Sequence, residues 1–146
     1  MRTIDELILH CSATPEGRHV TVEDIRRWHL KMGFRDIGYH FVVYLDGSVH
    51  QGRHLDQVGA HTTGHNAHSV GVCYIGGLDS NLKPKPKPKD TRTPQQRQAM
   101  LNLCRELLER FPQATVHGHN EYAKKACPSF DARQWAKENH LGADMA

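Results

Sequence analysis

Histidine and cysteine are the residues of this chain whose chemistry is most suggestive. The chain has 146 residues, of which 12 are histidine and 4 are cysteine. His10 ends a short apolar run, and His119 and Cys127 lie late in the chain. Zinc binds imidazole nitrogen and thiolate sulfur, and a catalytic site keeps one position open. The spacing matches no short zinc-finger pattern, so a metal site is one hypothesis and ordinary strand-end residues are the other.

The elements that must position these residues follow from hydrophobic periodicity and turn signals. Strands are predicted at residues 7–11, 39–45, 48–51, 70–75 and 114–117, and helices at about 21–32, at 94–111 and from about 131. Asp46-Gly47 predicts a tight hairpin turn. We therefore expect an α/β (mixed α+β) fold, a single domain over residues 1–146, with a central mixed sheet of about five strands flanked by helices.

The charge of the chain argues against nucleic acid as a partner. Nineteen basic residues against sixteen acidic ones give a formal net charge of +3. The basic tract at residues 83–89 alternates lysine and proline and has no interleaved aromatic residues for base stacking. This composition predicts an exposed Lys-Pro loop within the domain, either a solvated spacer or a contact for an anionic wall polymer.

Hydropathy excludes a membrane span, and the first residues indicate where the protein is made. The mean hydropathy is −0.65, and no apolar run reaches the roughly 18 residues that a transmembrane helix needs. Residues 1–6 do not resemble a secretory signal peptide, which predicts synthesis in the cytoplasm. Cys11, Cys73 and Cys104 are expected to be buried thiols. Eight histidines are expected to be solvent-facing or hydrogen-bonded: His19, His29, His50, His54, His65, His68, His117 and His140.

Six short blocks occur in a recognisable order between residues 7 and 135. They are Leu-His-Cys-Ser-Ala-Thr at 9–14, Ile-Arg-Arg-Trp-His at 25–29, Gly-Tyr-His-Phe at 38–41, Val-Gly-Ala-His at 58–61, Ser-Val-Gly-Val at 69–72 and Lys-Ala-Cys-Pro-Ser-Phe-Asp at 125–131. Together they resemble the zinc-dependent N-acetylmuramoyl-L-alanine amidases, the family of amidase-type phage lysozymes and peptidoglycan recognition proteins. The resemblance implies the fold of that family.

The resemblance also implies roles for individual residues. His10, His119 and Cys127 match the family's zinc ligands, which implies one Zn²⁺ per chain. Tyr39 and Lys125 match residues that assist catalysis. Two further matches imply contacts with substrate: His61 would line the cleft, and Asn66 could bind the peptide stem through its amide.

The implied activity is hydrolysis of the amide bond between N-acetylmuramic acid and L-alanine. Zinc held by two neutral imidazoles and one thiolate keeps net positive charge and can activate water. Lys125 would stabilise the developing oxyanion, and Tyr39 would position the water or help move its proton.

The partner implied is peptidoglycan or a muropeptide, reached by an endolysin or a wall-remodelling enzyme that acts on the wall after release or export. The alternative is a recognition module that binds the wall without cutting it, although the presence of Cys127 favours the enzyme. The sequence leaves open whether diaminopimelate or lysine is preferred in the stem. It also leaves the oligomeric state open, with a monomer favoured.

Overall fold

A five-stranded mixed β-sheet forms the centre of the protein. The computed structural model describes residues 2–143. The strands of the main sheet are β1 (Glu6–Cys11), β3 (Phe41–Val43), β4 (Val49–Gln51), β5 (Ser69–Tyr74) and β7 (Thr115–Gly118). A separate short pair is formed by β2 (Thr14–Pro15) and β6 (Gly77–Leu78). The main sheet has the order β4-β3-β5-β1-β7, in which only the β3–β4 pair is antiparallel.

Helices pack on both faces of this sheet. They are α1 (Val22–Lys31), α2 (Pro94–Arg110) and α3 (Ala132–Glu138). Helices α2 and α3 lie on one face and α1 on the other. Side chains alternate along a strand, so Leu7 and Leu9 of β1 pack in the core cluster that contains α2. Cys73 of β5 lies on the other face, in the cluster that contains Val22 and Ile25 of α1. The predicted mixed sheet of about five strands flanked by helices is confirmed.

Capping boxes fix the start of the first two helices. Thr21 accepts a hydrogen bond from the backbone N–H of Asp24, whose carboxylate accepts from the N–H of Thr21. Thr93 and Gln96 form the same reciprocal pair at α2, each cap being worth about 1 kcal/mol. The Gln96 amide also donates to two backbone carbonyls of the sheet, one of them that of Val43, and so joins α2 to β3.

The structure differs from the sequence prediction in the extent of the strands. The predicted strand 39–45 is regular only over Phe41–Val43, because its antiparallel partner β4 has three residues. The short pair β2–β6 had no sequence signal, since each strand has two residues and they contain proline and glycine. Gly52 follows β4, where a Cβ atom would lie 2.2 Å from the carbonyl oxygen of Tyr39.

The Lys-Pro tract lies on the surface. Residues 83–89 are exposed except for Pro86, which is half-buried. Asp79 accepts the backbone N–H of Lys87, and the Lys89 ammonium lies 2.6 Å from the carboxylate of Glu16. Within residues 2–143, no helix has the length and apolar character needed to cross a membrane.

A buried histidine links the sheet to the loop after β4. His40 is fully buried, and its Nδ1 accepts the backbone N–H of Gly71, so the ring proton lies on Nε2 and is donated to the carbonyl of Gln57. Protonation of Nδ1 would break the bond to Gly71 and would give the ring a positive charge, although its Nε2 lies 2.9 Å from the Arg2 guanidinium. Burial lowers the pKa of His40 from 6.5 to about 4.

The depressed pKa of His40 predicts a loss of stability in acid. Between pH 6.5 and pH 4 the unfolded chain takes up a proton on His40 that the folded chain does not. The free energy of unfolding should therefore fall as the pH is lowered, by up to about 3 kcal/mol from this residue. Urea denaturation at pH 7 and pH 4.5 measures the effect. The His40→Gln variant, which keeps the other histidines, should show a shallower dependence, and equal dependence in both proteins would contradict the assignment.

Candidate functional site

The pairing of β1 with β7 brings the two predicted histidine ligands together. The strands are parallel, and Leu9 lies opposite Gly118. The next residues along the two strands are His10 and His119, so both imidazoles leave the same end of the sheet. Their ring centroids are 4.7 Å apart. A separation of 109 positions in sequence therefore becomes direct contact.

Cys127 completes a group of three ligand atoms. One atom each from His10, His119 and Cys127 lie within 4.8 Å of one another. The Sγ atom of Cys127 is 3.7 Å from Nδ1 of His10, and it accepts the backbone N–H of Cys11 at 3.2 Å. Two imidazoles and one sulfur match the donor set that zinc prefers. The three predicted ligands thus form a candidate metal centre.

The second nitrogen of His10 is held by a buried polar network. His10 Nε2 lies 2.8 Å from Nδ1 of His61 and 3.3 Å from Oγ1 of Thr62. The other nitrogen of His61 is 3.2 Å from the hydroxyl of Ser69. If Nδ1 of His10 binds a cation, Nε2 carries the proton and donates it to His61 or Thr62, as metal-binding histidines usually do. The network therefore fits a metal at this centre.

Asn66 holds the loop that contains His61. Its Oδ1 atom accepts the backbone N–H groups of His61 and Thr62, both at 2.9 Å. Asn66 begins a 3₁₀ turn, Asn66–His68, that leads into β5. Since Oδ1 is engaged by the loop, only the Nδ2 end of the amide is suited to meet a substrate.

An open cleft of about 320 Å³ lies beside the three ligand residues. The residues that line it include five of the predicted site residues: Tyr39, His61, Asn66, His119 and Lys125. The Tyr39 ring centroid is 5.1 Å from that of His10. Lys125 is exposed and shares the wall with His119. The predicted catalytic and substrate-binding residues are therefore brought to one cleft.

Burial and positive charge keep the imidazoles neutral. Burial lowers the pKa of His10 well below its ordinary value, and neighbouring His61, His119 and Lys125 lower it further. Burial, followed by the charge of Lys125, lowers the pKa of His119. Neutral imidazole is the form that binds metals.

The pKa values of Cys127 and Tyr39 are raised, whereas those of the two histidines are lowered. Hydrogen bonding with Cys11 and then burial raise the pKa of the Cys127 thiol, so a cation is required to favour its thiolate. Burial, followed by the electrostatic interaction with Cys73, raises the pKa of Tyr39 well above its ordinary value. Tyr39 therefore keeps its hydroxyl proton at neutral pH.

Sequence reasoning did not single out three residues that support the site. His29 of α1 was expected only to be exposed or hydrogen-bonded, and its Nδ1 accepts the N–H of Gly38. Its ring also lines the cleft, where the ring centroids of His29 and Tyr39 are 5.4 Å apart. Thr62 contacts His10, and the backbone of Cys11 contacts Cys127. The Trp-His pair in the block at 25–29 was the one available signal for His29.

Comparison with known proteins identifies the family. The profile of the N-acetylmuramoyl-L-alanine amidase family matches residues 1–130. The endolysin of Enterobacteria phage K11 is 43% identical over 136 residues, which are 93% of this chain and 87% of that protein. The chain belongs to the N-acetylmuramoyl-L-alanine amidase family. It is a peptidoglycan amidase, and its reaction is hydrolysis of the bond between N-acetylmuramic acid and L-alanine.

Solved structures support the same fold. The N-acetylmuramoyl-L-alanine amidase LysC from Clostridium intestinale is similar with a TM-score of 0.75 and 25% identity, covering 89% of this chain and 79% of that one. The ectodomain complex of peptidoglycan recognition proteins LCa and LCx with tracheal cytotoxin gives a TM-score of 0.74 and 26% identity, covering 94% and 82%. Both an amidase and a recognition protein therefore share this architecture.

The two hydrogen bonds to Asn66 predict that its substitution disturbs the site through the loop. Asn66→Ala leaves two backbone donors without their acceptor, which should lower the free energy of unfolding by roughly 1–3 kcal/mol. It should also lower kcat, because His61 would no longer hold His10. Asn66→Asp keeps the acceptor and should retain most of the stability. Chemical denaturation and turnover measure both effects; an alanine variant that changes KM alone would assign Asn66 to substrate binding instead.

Proposed function

We propose that this amidase is zinc-dependent, with one ion held by His10, His119 and Cys127. The observation that carries the proposal is the convergence of these three ligand atoms within 4.8 Å beside the cleft. The hydrogen bonds to His10 Nε2 and to Cys127 Sγ orient both side chains before any ion arrives. When bound, zinc supplies Lewis-acid chemistry: it polarises a carbonyl oxygen and lowers the pKa of water to about 7.

Lys125 and Tyr39 would act on the reacting groups from the cleft wall. Lys125 is exposed and lines the cleft together with His119, so its ammonium could stabilise negative charge on the amide oxygen in the transition state. The Tyr39 hydroxyl keeps its proton, so it serves as a hydrogen-bond partner that positions the attacking water. Asn66 and His61 would bound the peptide side of the cleft.

The substrate proposed for the cleft is the muramoyl end of the stem peptide in peptidoglycan. A planar amide suits attack by activated water, whereas glycoside cleavage ordinarily requires two carboxylates that flank the bond. Among residues 2–143, those that line the cleft include no carboxylate. We further propose that the protein is made in the cytoplasm and acts as an endolysin after it reaches the cell wall by a separate route.

Product chemistry tests the activity and the ligand set together. Digestion of purified peptidoglycan should release peptides with a new amino group on L-alanine, leave the glycan strands uncut and stop when zinc is chelated. Cys127→Ala should lose both zinc and turnover, because the thiolate is a ligand. Mass spectrometry of the fragments and metal analysis give the readouts.

Cys104 of α2 provides a matched control for this experiment, since it is buried in the core away from the cleft. Cys104→Ala should keep its zinc and its activity. New reducing sugar ends without new alanine amine would overturn the amidase assignment. Wall binding with no released peptide would instead support the recognition module.

Lys125 and Tyr39 should separate catalysis from metal binding. Lys125→Ala and Tyr39→Phe are expected to retain zinc but to lower kcat, by about 10²–10³-fold where an oxyanion donor is lost. Lys124→Ala is the matched control, because Lys124 is also exposed but does not line the cleft. Turnover and zinc content are measured on the same preparations. Near-normal rates in both variants would remove these residues from the mechanism.

A further inference from the structure

A second group of metal-binding side chains lies outside the proposed catalytic centre. Ligand atoms of Glu6, His65 and His68 lie within 4.8 Å of one another. Glu6 begins β1, four residues before His10. His65 directly precedes the Asn66–His68 turn and His68 ends it, and Asn66 of this turn holds the cleft loop. The catalytic mechanism uses none of these three side chains.

Two distances between ligand atoms in this group are close to those between ligands of a single bound ion. Nδ1 of His65 and Nδ1 of His68 lie 2.8 and 3.3 Å from the same carboxylate oxygen of Glu6. Zinc–nitrogen and zinc–oxygen bonds of about 2.0–2.2 Å in a tetrahedron place ligand atoms about 3.3 Å apart. Of the two pairs that share the Glu6 oxygen, the His68 pair already has this spacing, and the His65 pair requires a side-chain shift of about 0.5 Å. The nitrogens of the two histidines lie within 4.8 Å of each other. Asp5, whose carboxylate is 2.7 Å from His68, can supply a fourth donor.

Neighbouring groups hold the donors in place. The Tyr122 hydroxyl donates to the other carboxylate oxygen of Glu6, and its ring stacks on His65 with centroids 3.8 Å apart. The Glu6 side chain is only 11% exposed. Burial alone would raise the pKa of Glu6, but hydrogen bonds from Tyr122 and His65 outweigh it and the pKa is lowered. Glu6 is therefore an oriented carboxylate anion that faces two imidazoles.

The backbone of the turn is also anchored before any ion binds. The guanidinium of Arg2 donates to the carbonyls of Asn66, Ala67 and Ser69. The backbone N–H of Asp5 donates to the carbonyl of His68. Such support fixes the direction of the two histidines, which lowers the entropy lost when both bind one ion.

We propose that Glu6, His65 and His68 form a second, structural site for a divalent ion of the zinc class. Two imidazoles and a carboxylate are a common zinc donor set, and imidazole favours zinc-class ions over magnesium or calcium. An ion there would join the start of β1 to the Asn66–His68 turn. It would thus stabilise the turn that holds the cleft loop, without contact with the substrate.

Metal stoichiometry on protein without a histidine tag tests this proposal. After equilibration with excess Zn²⁺ and removal of loosely held ion, the wild type should contain two zinc ions per chain. The His65→Ala/His68→Ala double variant should contain one. His54→Ala, which removes an exposed histidine outside both groups, should still contain two. Equal zinc content in the wild type and the double variant, whether one ion or two, would overturn the second site.

Cobalt substitution separates this result from the fate of the catalytic centre. Only the centre with Cys127 can give thiolate-to-cobalt charge-transfer absorption, because the second group contains no cysteine. The double variant should keep that absorption while its cobalt content falls from two ions to one, which also shows that it is folded. Glu6→Gln, which preserves size, should weaken binding of the second ion at least about tenfold. Unchanged affinity in Glu6→Gln would remove the carboxylate from the site and contradict the proposal.

Discussion

The register of the parallel β1–β7 pair is the constraint on which the rest of the structure depends. Leu9 lies opposite Gly118, so the residues that follow them, His10 and His119, leave the sheet side by side. A shift of one residue in a strand would turn its side chains to the opposite face. The core sets this register, because Leu7 and Leu9 are fully buried against the α2 side. Packing of apolar residues therefore determines where the proposed metal ligands meet.

Desolvation of His10 requires partners for both of its nitrogens. A buried polar group without a hydrogen bond is costly, and His10 is fully buried. His61 and Thr62 satisfy Nε2, which leaves Nδ1 directed towards Cys127. The same burial keeps the ring neutral, which is the state that a metal needs. Burial of His10 thus determines both the orientation and the protonation state of its imidazole.

The turn around Asn66 links the cleft to a second polar cluster. On one side Asn66 fixes the backbone of His61, and on the other His65 and His68 face Glu6. Glu6 and His10 belong to the same short strand. This one turn therefore contacts both the cleft loop, through Asn66, and the start of β1, through its histidines.

The sequence by itself determined the order of the main elements, the approximate starts of the helices, and the residue types of the candidate metal centre. These features depend on local periodicity, on side chains three residues apart, and on blocks that resemble a known family. Tertiary structure decided the rest: the support of His10 by His61 and Thr62, the contact of the Cys11 backbone with Cys127, and the grouping of Glu6 with His65 and His68. Each of these contacts joins residues more than 50 positions apart. Such contacts carry no local pattern, because strand pairing and loop packing alone bring their partners together.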